Sequence, residues 1–260
     1  MKAHAKINLA LVVGPTRADG KHEVATVLQR IELHDEIELA PAEQLEVDGF
    51  AQDTLVRRAL ASIAQRAGVA PRWRARIDKQ IPVAAGLGGG SSDAAAALRL
   101  ANDALPERLL PAALHDLAQE LGADVPFFLA DGPQLGKGDG SSLTPLELPQ
   151  DYTVVLLVPD GAQKESTAAV YASFDREQGF AERRTELLDA LAARDLAALP
   201  PNDLASSPLA DELGALGAFR ADVSGAGPTV YGLFAERAVA EAAAAALGPR
   251  GRTWITAPAW

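Results

Sequence analysis

The sequence of 260 residues contains no cysteine, and histidine is scarce. Without cysteine the chain can form neither a disulfide framework nor a thiolate metal site. The histidines do not show the spacing of a metal site along the chain: they are His4, His22, His34 and His115. The metal ligands, if any, are therefore unknown from the sequence.

Long apolar runs and excess positive charge are also missing. No run approaches the roughly 20 residues that cross a bilayer, and the N-terminus enters an alternating pattern without the apolar core of a signal peptide. The 24 Lys and Arg residues face 35 Asp and Glu, a net charge of -11, which opposes binding to a polyanion. We therefore expect a cytoplasmic protein with no membrane and no nucleic-acid partner, although a phosphorylated small substrate needs only a few local cations.

What the sequence does contain is an irregular succession of strand and helix patterns. Hydrophobic alternation and apolar runs predict strands over residues 2–13, 24–33, 35–39, 72–77, 152–158, 220–223, 229–234 and 253–256. Apolar residues at helical spacing predict helices over residues 53–67, 92–101, 111–121, 166–174, 183–191, 209–216 and 239–247. Because the two kinds of element do not alternate regularly, we expect an α+β fold with two lobes and a cleft, divided into residues 1–150 and 151–260.

A glycine-rich loop follows Pro82 and reads Gly86-Leu87-Gly88-Gly89-Gly90-Ser91-Ser92. Glycine has no Cβ, so peptide N–H groups can converge on an anion, and the helix predicted from Ser92 points its partial positive end at the same spot. The loop lacks the Lys-Ser/Thr pair of a Walker A motif and the setting of a dinucleotide fingerprint. Its chemistry suits a triphosphate, whereas a flexible surface turn is the alternative for an arbitrary glycine run.

Several motifs in order make the chain resemble the GHMP kinases over nearly its whole length. The motifs are Ala5-Lys6-Ile7-Asn8-Leu9, Asp19-Gly20-x-His22-Glu23, the loop from Gly86 to Ala95, Gly122-Ala123-Asp124-Val125-Pro126-Phe127-Phe128, and Ser224-Gly225-Ala226-Gly227. The resemblance implies an N-terminal lobe similar to domain 2 of ribosomal protein S5 and a C-terminal ferredoxin-like lobe, with the active site in the cleft.

The resemblance also implies a reaction: transfer of a phosphoryl group from ATP, with Mg2+, to a small alcohol. Within the family, the chain resembles most the branch that phosphorylates the 2-hydroxyl of a cytidine diphosphate-linked methylerythritol, in non-mevalonate isoprenoid biosynthesis. Phosphorylating an alcohol requires removal of its proton. The resemblance assigns this task to Asp124, with Lys6 beside it. From the residues alone, Asp124 could instead cap the turn after Gly122, and Lys6 could be a solvated strand lysine.

The remaining site residues also follow from the resemblance. For ATP it implies Thr54 and the loop residues Pro82, Ala84, Ala85, Gly86, Leu87, Gly88, Gly89, Gly90, Ser91 and Ser92. For the acceptor it implies Asn8, His22, Lys21, Thr167, Tyr171, Gly225 and Gly227. Asn8 alternates with Lys6, so the two side chains share one strand face.

Two positions at the predicted base sites depart from the family pattern. Lys21 stands where the family commonly has a tyrosine, which removes one side of the aromatic sandwich around cytosine. Thr54 stands where the family usually has an asparagine near the adenine. These departures leave a kinase for another small alcohol as an alternative.

A second alternative, from another class, is a protein that binds nucleotide without catalysis. The intact Lys6, Asp124 and glycine-rich loop argue against it, because a binding-only protein needs no base. Exposed strand edges are compatible with a homodimer, but nothing in the sequence requires one.

Overall fold

A computed structural model describes residues 1–162, 167–174 and 179–260, apart from the side chains of residues 167 and 168. The chain forms two compact units, each assembled from separate stretches. The first unit comprises Met1–Ala5, Leu33–Val83 and Gly88–Asp131, and the second comprises Lys6–Glu32, Ala84–Leu87 and Gly132–Trp260.

The first unit combines a small sheet with helices. Its elements are the end of strand β2 (His22–Pro41), β3 (Glu46–Asp48), α1 (Leu55–Ala67), β4 (Trp73–Asp78), α2 (Gly89–Ala104), α3 (Pro111–Leu121) and α4 (Val125–Leu129). Strand β4 pairs antiparallel with β2, with Ile77 opposite Ile37, and parallel with β3. Its alternating buried and exposed residues are those of a strand with one face on a core.

Helix α1 shows why this unit packs. An apolar stripe at helical spacing is fully buried, namely Val56, Ala59, Leu60, Ile63 and Ala64. The helix ends at Gly68, whose φ of 67° lies in the left-handed region favoured for glycine. Helix α2 is largely buried, and its alanines at 94–97 allow close packing of neighbouring elements.

The second unit holds strand β1 (Lys2–Thr16) except for its first residues, the first half of β2, β5 (Gln134–Gly138) and β6 (Ser142–Pro145). Strand β1 pairs with β2, β2 pairs antiparallel with β5, and β5 forms a hairpin with β6. The site residues of β1 therefore lie on a long and mostly buried strand.

A four-stranded antiparallel sheet completes the second unit. Its strands are β7 (Thr153–Pro159), β8 (Arg220–Val223), β9 (Val230–Phe234) and β10 (Gly251–Thr256), in the order β10-β7-β9-β8. The accompanying helices are α5 (Thr167–Ala172), α6 (Phe180–Ala192), α7 (Pro208–Ala215) and α8 (Arg237–Leu247). Apolar residues of this sheet pack against α7 and α8 around Phe234 and Leu213.

The predicted α+β class is confirmed, and the differences are local. Residues 24–33 and 35–39 belong to one strand, β2, and the sequence analysis overlooked β3, β5, β6 and α4. The predicted helix 166–174 corresponds to α5, but Ser166 lies outside the described residues. Among the helices of the described residues, none is long and apolar enough to cross a membrane.

The two compact units do not separate near residue 150. Strand β5 pairs with the first half of β2, β6 pairs with β5, and both strands belong to the second unit. A lobe boundary at that residue stays a prediction.

Candidate active site

Helix α2 begins inside the glycine-rich run and not at Ser92, the predicted start. Gly88 is the N-cap, with a left-handed φ of 71°, and the helix starts at Gly89. A Cβ on Gly89 would lie 3.1 Å from Ile81 Cγ2 and 3.2 Å from Lys79 Nζ, so a side chain here would crowd both. The first N–H groups of a helix have no partner within it, and the helix dipole adds partial positive charge. The start of α2 is therefore suited to phosphate oxygens.

The preceding part of the loop, Ala84–Leu87, packs within the second unit. Its carbonyl groups accept hydrogen bonds from Lys6 N to Leu87 O (2.9 Å), from Ser224 Oγ to Gly86 O (3.1 Å) and from Thr229 Oγ1 to Ala85 O (2.6 Å). Gly86 has a φ of +79°, and a Cβ there would lie 2.6 Å from Ser224 O. Strand β1 and the turn between β8 and β9 thus fix this segment.

Lys6 and Asn8 share one face of β1, as the alternation predicts. Lys6 Nζ donates to Asn8 Oδ1 (2.6 Å), and Asn8 Nδ2 donates to Thr26 Oγ1 (2.8 Å). Thr26 Oγ1 in turn donates to Ala10 O (2.8 Å), and all three polar side chains are buried. Because the hydroxyl hydrogen of Thr26 is donated to Ala10 O, Thr26 Oγ1 can only accept from Asn8. The amide nitrogen of Asn8 therefore faces Thr26, and its amide oxygen faces Lys6. Nothing in the sequence pattern indicates Thr26, because it lies on a different strand.

The turn Ser224–Gly227 lies against this network. Asn8 N donates to Ser224 Oγ (3.3 Å), and a Cβ on Gly225 would lie 3.4 Å from Asn8 Oδ1 and 3.6 Å from Lys6 Nζ. Gly227 packs on the loop, since its carbonyl would lie 2.8 Å from a Cβ on Gly86. The buried Asn202 supports the turn by donating from Nδ2 to Gly225 O (2.6 Å). The sequence analysis did not find Asn202.

His22 begins β2 beside two aromatic rings. Its Nδ1 lies 2.8 Å from Gly14 O. Because a carbonyl only accepts, Nδ1 carries the hydrogen, and Nε2 of the neutral ring is an acceptor. Its ring centroid lies 5.8 Å from that of Tyr171 and 5.7 Å from that of Phe174, the latter edge-on. The structure thus brings His22 and Tyr171 together and adds Phe174, which the sequence analysis did not single out.

Lys21 forms an ion pair with the carboxylate of Asp139. Its Nζ lies 2.5 Å from Asp139 Oδ2, although the lysine side chain is 59% exposed. Burial opposes ionisation of Asp139, but hydrogen bonds from Lys21 and Ser141 lower the pKa of Asp139 to about 2. Thr167, the other predicted acceptor residue in this region, begins α5, but its side chain lies outside the described residues.

Asp124 stands at the N-cap position of α4 in the first unit and is half-buried. Its side chain makes no capping hydrogen bond to this helix, so the capping role considered for it is not taken up there. Helix α4 is tied to α2 by Arg99, whose Nη2 donates to Leu129 O (2.7 Å). Asp124 and Lys6 belong to different units, and their pairing stays a prediction.

Thr54 is the exposed N-cap residue of α1, and its side chain makes no capping hydrogen bond. The cap is provided by Asp53, whose Oδ2 accepts from Val56 N (3.0 Å) and Arg57 N (3.4 Å). The hydroxyl of Thr54 is therefore not used to start the helix. Pro82 precedes the loop, and its neighbour Val83 is 60% exposed.

One buried ionic cluster of the first unit was not predicted. Lys79 Nζ contacts the carboxylates of Asp35 (2.5 Å) and Asp93 (2.8 Å). Asp35 and Lys79 are 44 residues apart, and no local pattern signals such a pairing. Among the described residues, no group of three or more histidine, aspartate or glutamate side chains is placed to hold a metal ion.

Comparison with protein families gives two matches along the chain. The family described as "GHMP kinases N terminal domain" matches residues 54–132, and "GHMP kinases C terminal" matches residues 179–251. These ranges include the glycine-rich loop, Asp124 and the turn Ser224–Gly227.

Individual relatives match over most of their length. A 4-diphosphocytidyl-2-C-methyl-D-erythritol kinase of Streptomyces avermitilis is 39% identical, with 99% of this chain and 96% of the relative covered. An enzyme of the same name from Anaeromyxobacter sp. is 39% identical over 93% of this chain and 84% of its own.

Solved structures are similar to the chain as well. A crystal structure of a 4-(cytidine 5'-diphospho)-2C-methyl-D-erythritol kinase has a TM-score of 0.85 and 32% identity, covering 100% of this chain and 99% of the other. A homoserine kinase from Cytophaga hutchinsonii has a TM-score of 0.73 at 14% identity, covering 99% of this chain and 96% of the other. This second likeness concerns the fold alone.

Proposed function

This chain belongs to the 4-diphosphocytidyl-2-C-methyl-D-erythritol kinase family of the GHMP kinases, and we propose that it phosphorylates the 2-hydroxyl of 4-diphosphocytidyl-2-C-methyl-D-erythritol. It is a small-molecule kinase, and ATP is its phosphoryl donor. The reaction is a step of the non-mevalonate pathway of isoprenoid biosynthesis.

The observation that carries the proposal is the buried Lys6 ammonium. Its exposed fraction is 4%, and Asn8 Oδ1 fixes its position beside the turn at Gly225. Fixed positive charge next to the phosphate loop is what a transferring phosphoryl group requires. We assign Lys6 the stabilisation of that charge.

Asp124 is the general base in this proposal. The acceptor oxygen forms a bond to the γ-phosphorus while the bond from that phosphorus to the bridging oxygen of ATP breaks, and ADP leaves. The proton of the 2-hydroxyl passes to Asp124. Because the acceptor oxygen attacks the γ-phosphorus directly, no phosphoenzyme forms. Asp124 is half-buried, and its side chain makes no capping hydrogen bond to α4. Both observations are compatible with this role.

The nucleotide is bound through backbone groups. The N–H groups at the start of α2 and the loop face the triphosphate, with the hydroxyls of Ser91 and Ser92 as further donors. Pro82, Ala84, Ala85 and Leu87 shape the entry to the loop. We assign Thr54, at the start of α1, to the adenine.

The cytidine end of the acceptor binds at His22. The Nε2 acceptor suits the exocyclic amino group of cytosine, because Nδ1 is already committed to Gly14 O. Tyr171 provides the stacking ring. Lys21, which occupies the family position of a second aromatic ring, is held by its ion pair with Asp139. Thr167, Gly225 and Gly227 complete the acceptor site, and the two glycines also support the phosphate loop.

Magnesium would enter as the counter-ion of the triphosphate, since cations of this kind are held largely by substrate phosphates and water. The described residues offer no cluster of three or more acidic or histidine side chains for a metal centre of their own. We further propose a cytoplasmic enzyme without a nucleic-acid or membrane partner, for which a homodimer is one arrangement.

A coupled assay of ADP release tests the proposal with 4-diphosphocytidyl-2-C-methyl-D-erythritol, homoserine, mevalonate and galactose as acceptors. We expect turnover with the cytidine compound alone. Turnover with another acceptor would instead support a kinase for a different small alcohol, which the lysine at position 21 favours as second candidate. No ADP release with any acceptor would contradict both and favour a protein that only binds nucleotide.

A further inference from the structure

Three charged side chains form a cluster inside the first unit. Asp35 and Asp93 are fully buried, and Lys79 is largely buried between them. Lys79 Nζ lies 2.5 Å from Asp35 Oδ2 and 2.8 Å from Asp93 Oδ2. Although burial lowers the pKa of Lys79, the two carboxylates raise it, so the lysine stays charged.

The cluster joins both ends of the glycine-rich loop. Asp35 comes from β2, and its Oδ1 accepts hydrogen bonds from Gln80 N (2.6 Å) and Ile81 N (2.8 Å), immediately before the loop. Asp93 lies in α2, immediately after the loop. Lys79 bridges the two carboxylates and so connects the residues that enter the loop with the helix that leaves it.

The space at the first residue of α2 is shaped for the same lysine. A Cβ on Gly89 would lie only 3.2 Å from Lys79 Nζ. The lysine therefore lies close to the first residue of the helix, to whose N–H groups we assign the triphosphate. Because residue 89 is a glycine, it has no side chain that would separate Lys79 Nζ from that backbone.

The burial of these three charges contributes little net stability to the fold. Two buried carboxylates share one ammonium, and Asp93 Oδ1 is buried without a hydrogen-bond partner in the part of the chain that the structure describes. Buried ion pairs are often no more stabilising than apolar residues of the same size, because removing charges from water offsets their attraction. Stability alone is therefore a weak reason for this arrangement.

We propose that Asp35, Lys79 and Asp93 are positioning residues that hold the glycine-rich loop and the start of α2 in the geometry that binds ATP. The inference rests on the proposed nucleotide role of the loop. Because the cluster acts through backbone geometry, its loss weakens ATP binding more than acceptor binding.

The charge of the cluster also changes near neutral pH. Burial raises the pKa of Asp93 to about 7, with Lys79 lowering it and Asp35 raising it. Among the described residues, Asp53 at the start of α1 is a further titratable group whose charge interacts with Lys79. Two carboxylates and one ammonium carry a net charge of one negative unit, and a proton on Asp93 makes the cluster neutral. The negative form lies close to the start of α2, to which we assign the triphosphate, so it opposes ATP.

The experiment compares Lys79→Met and Asp93→Asn with the wild type and with Arg74→Met. Arg74 on β4 forms an exposed ion pair with Glu46 on the neighbouring strand β3, so Arg74→Met is a control for losing an ion pair in this sheet. ATP dissociation constants are measured by calorimetry from pH 6 to 8.5 at constant free Mg2+. Circular dichroism confirms folding, and the coupled assay gives kcat and both KM values.

For Lys79→Met we expect an ATP dissociation constant raised about tenfold or more, with the KM of the acceptor nearly unchanged. For the wild type we expect ATP binding to weaken about fivefold from pH 6 to 8.5 relative to Asp93→Asn, which lacks the titrating carboxyl. The titration of ATP itself is common to all variants. If Lys79→Met does not fold, the comparison with Asp93→Asn decides.

The proposal is overturned if Lys79→Met binds ATP as Arg74→Met does, or if wild type and Asp93→Asn share one pH profile. A wild type that binds ATP with the expected pH dependence but phosphorylates no acceptor would refute the proposed function and leave this inference standing.

Discussion

Replacing Gly86 with alanine probes the contact between the glycine-rich loop and the turn after β8. Gly86 has a φ of +79°, and the added Cβ would lie 2.6 Å from Ser224 O and 2.8 Å from Gly227 O. Both atoms are backbone carbonyls, so neither can rotate away as the end of a long side chain could. The loop or the turn must move.

The magnitude has two parts. The left-handed conformation costs alanine about 1 to 2 kcal/mol. Moving the Cβ from 2.6 Å to the 3.4 Å of ordinary contact is a displacement of 0.8 Å, and a misplacement of about 1 Å in an active site can reduce the rate about 100-fold. We therefore expect kcat/KM for ATP to fall about 100-fold and the free energy of unfolding to fall by about 2 kcal/mol or more.

Gly68→Ala is the matched control. Gly68 has a similar φ of +67°, but nothing lies within 4 Å of its missing Cβ. It carries the same conformational penalty without the collision, so stability should fall by about 1 kcal/mol while the rate of ADP release stays within about twofold of the wild type. If Gly86→Ala retained the activity of Gly68→Ala, the loop would not be constrained by the turn as argued.

Three further predictions concern single side chains. Thr26→Val removes the acceptor of Asn8 Nδ2 and should lower kcat about tenfold with ATP affinity unchanged. Thr26→Ser keeps a hydroxyl and should retain the wild-type kcat. Equal losses of kcat in both variants would contradict the hydrogen-bond argument. Asp93, with its pKa raised to about 7, contributes stability that is complete below the unfolded pKa and lost as the pH rises towards 7. Between pH 5.5 and 7.5, urea unfolding should therefore show that the wild type loses about 2 kcal/mol relative to Asp93→Asn, and parallel curves would refute this. Asp124→Asn should reduce kcat at least about 100-fold with calorimetric ATP affinity intact, and an unchanged kcat would remove it from the role of base.

The start of α2 illustrates how far local patterns reach. The alanines and the serine pair predict the helix correctly, but they place its start at Ser92, whereas it begins at Gly89. Glycine is a poor helix former, so propensity alone places the start of the helix too late. The close approach of Ile81 and Lys79 to Gly89 is a tertiary cause that overrides propensity.

The overlooked strands have a related explanation. Residues 134–138 contain two glycines and carry little strand signal, yet they form β5 because β2 provides a complete antiparallel partner from Val24 to Leu28. In contrast, the alternation of Lys6 and Asn8 on β1 was predictable, because strand periodicity alone places them on one face.

The residues that support the site could not be predicted from the sequence, because their contacts also depend on tertiary packing. Thr26, Asn202 and the cluster of Asp35, Lys79 and Asp93 act through partners on distant segments, such as Asn202 and Gly225 across 23 residues or Asp35 and Lys79 across 44. Such pairs form only when the elements pack. Motif order indicated the residues that we assign to the substrates, and the structure adds residues that hydrogen-bond to them or to the loop beside them.

The most direct test of the central claim is the phosphorus NMR spectrum of the product formed from ATP and 4-diphosphocytidyl-2-C-methyl-D-erythritol. The acceptor carbon carries a methyl group and no hydrogen, so phosphorylation of its 2-hydroxyl gives a new phosphate monoester signal without three-bond coupling to hydrogen. We predict that uncoupled signal, in step with ADP release. A signal split by a neighbouring CH or CH2 group, or no new monoester signal, would contradict the account.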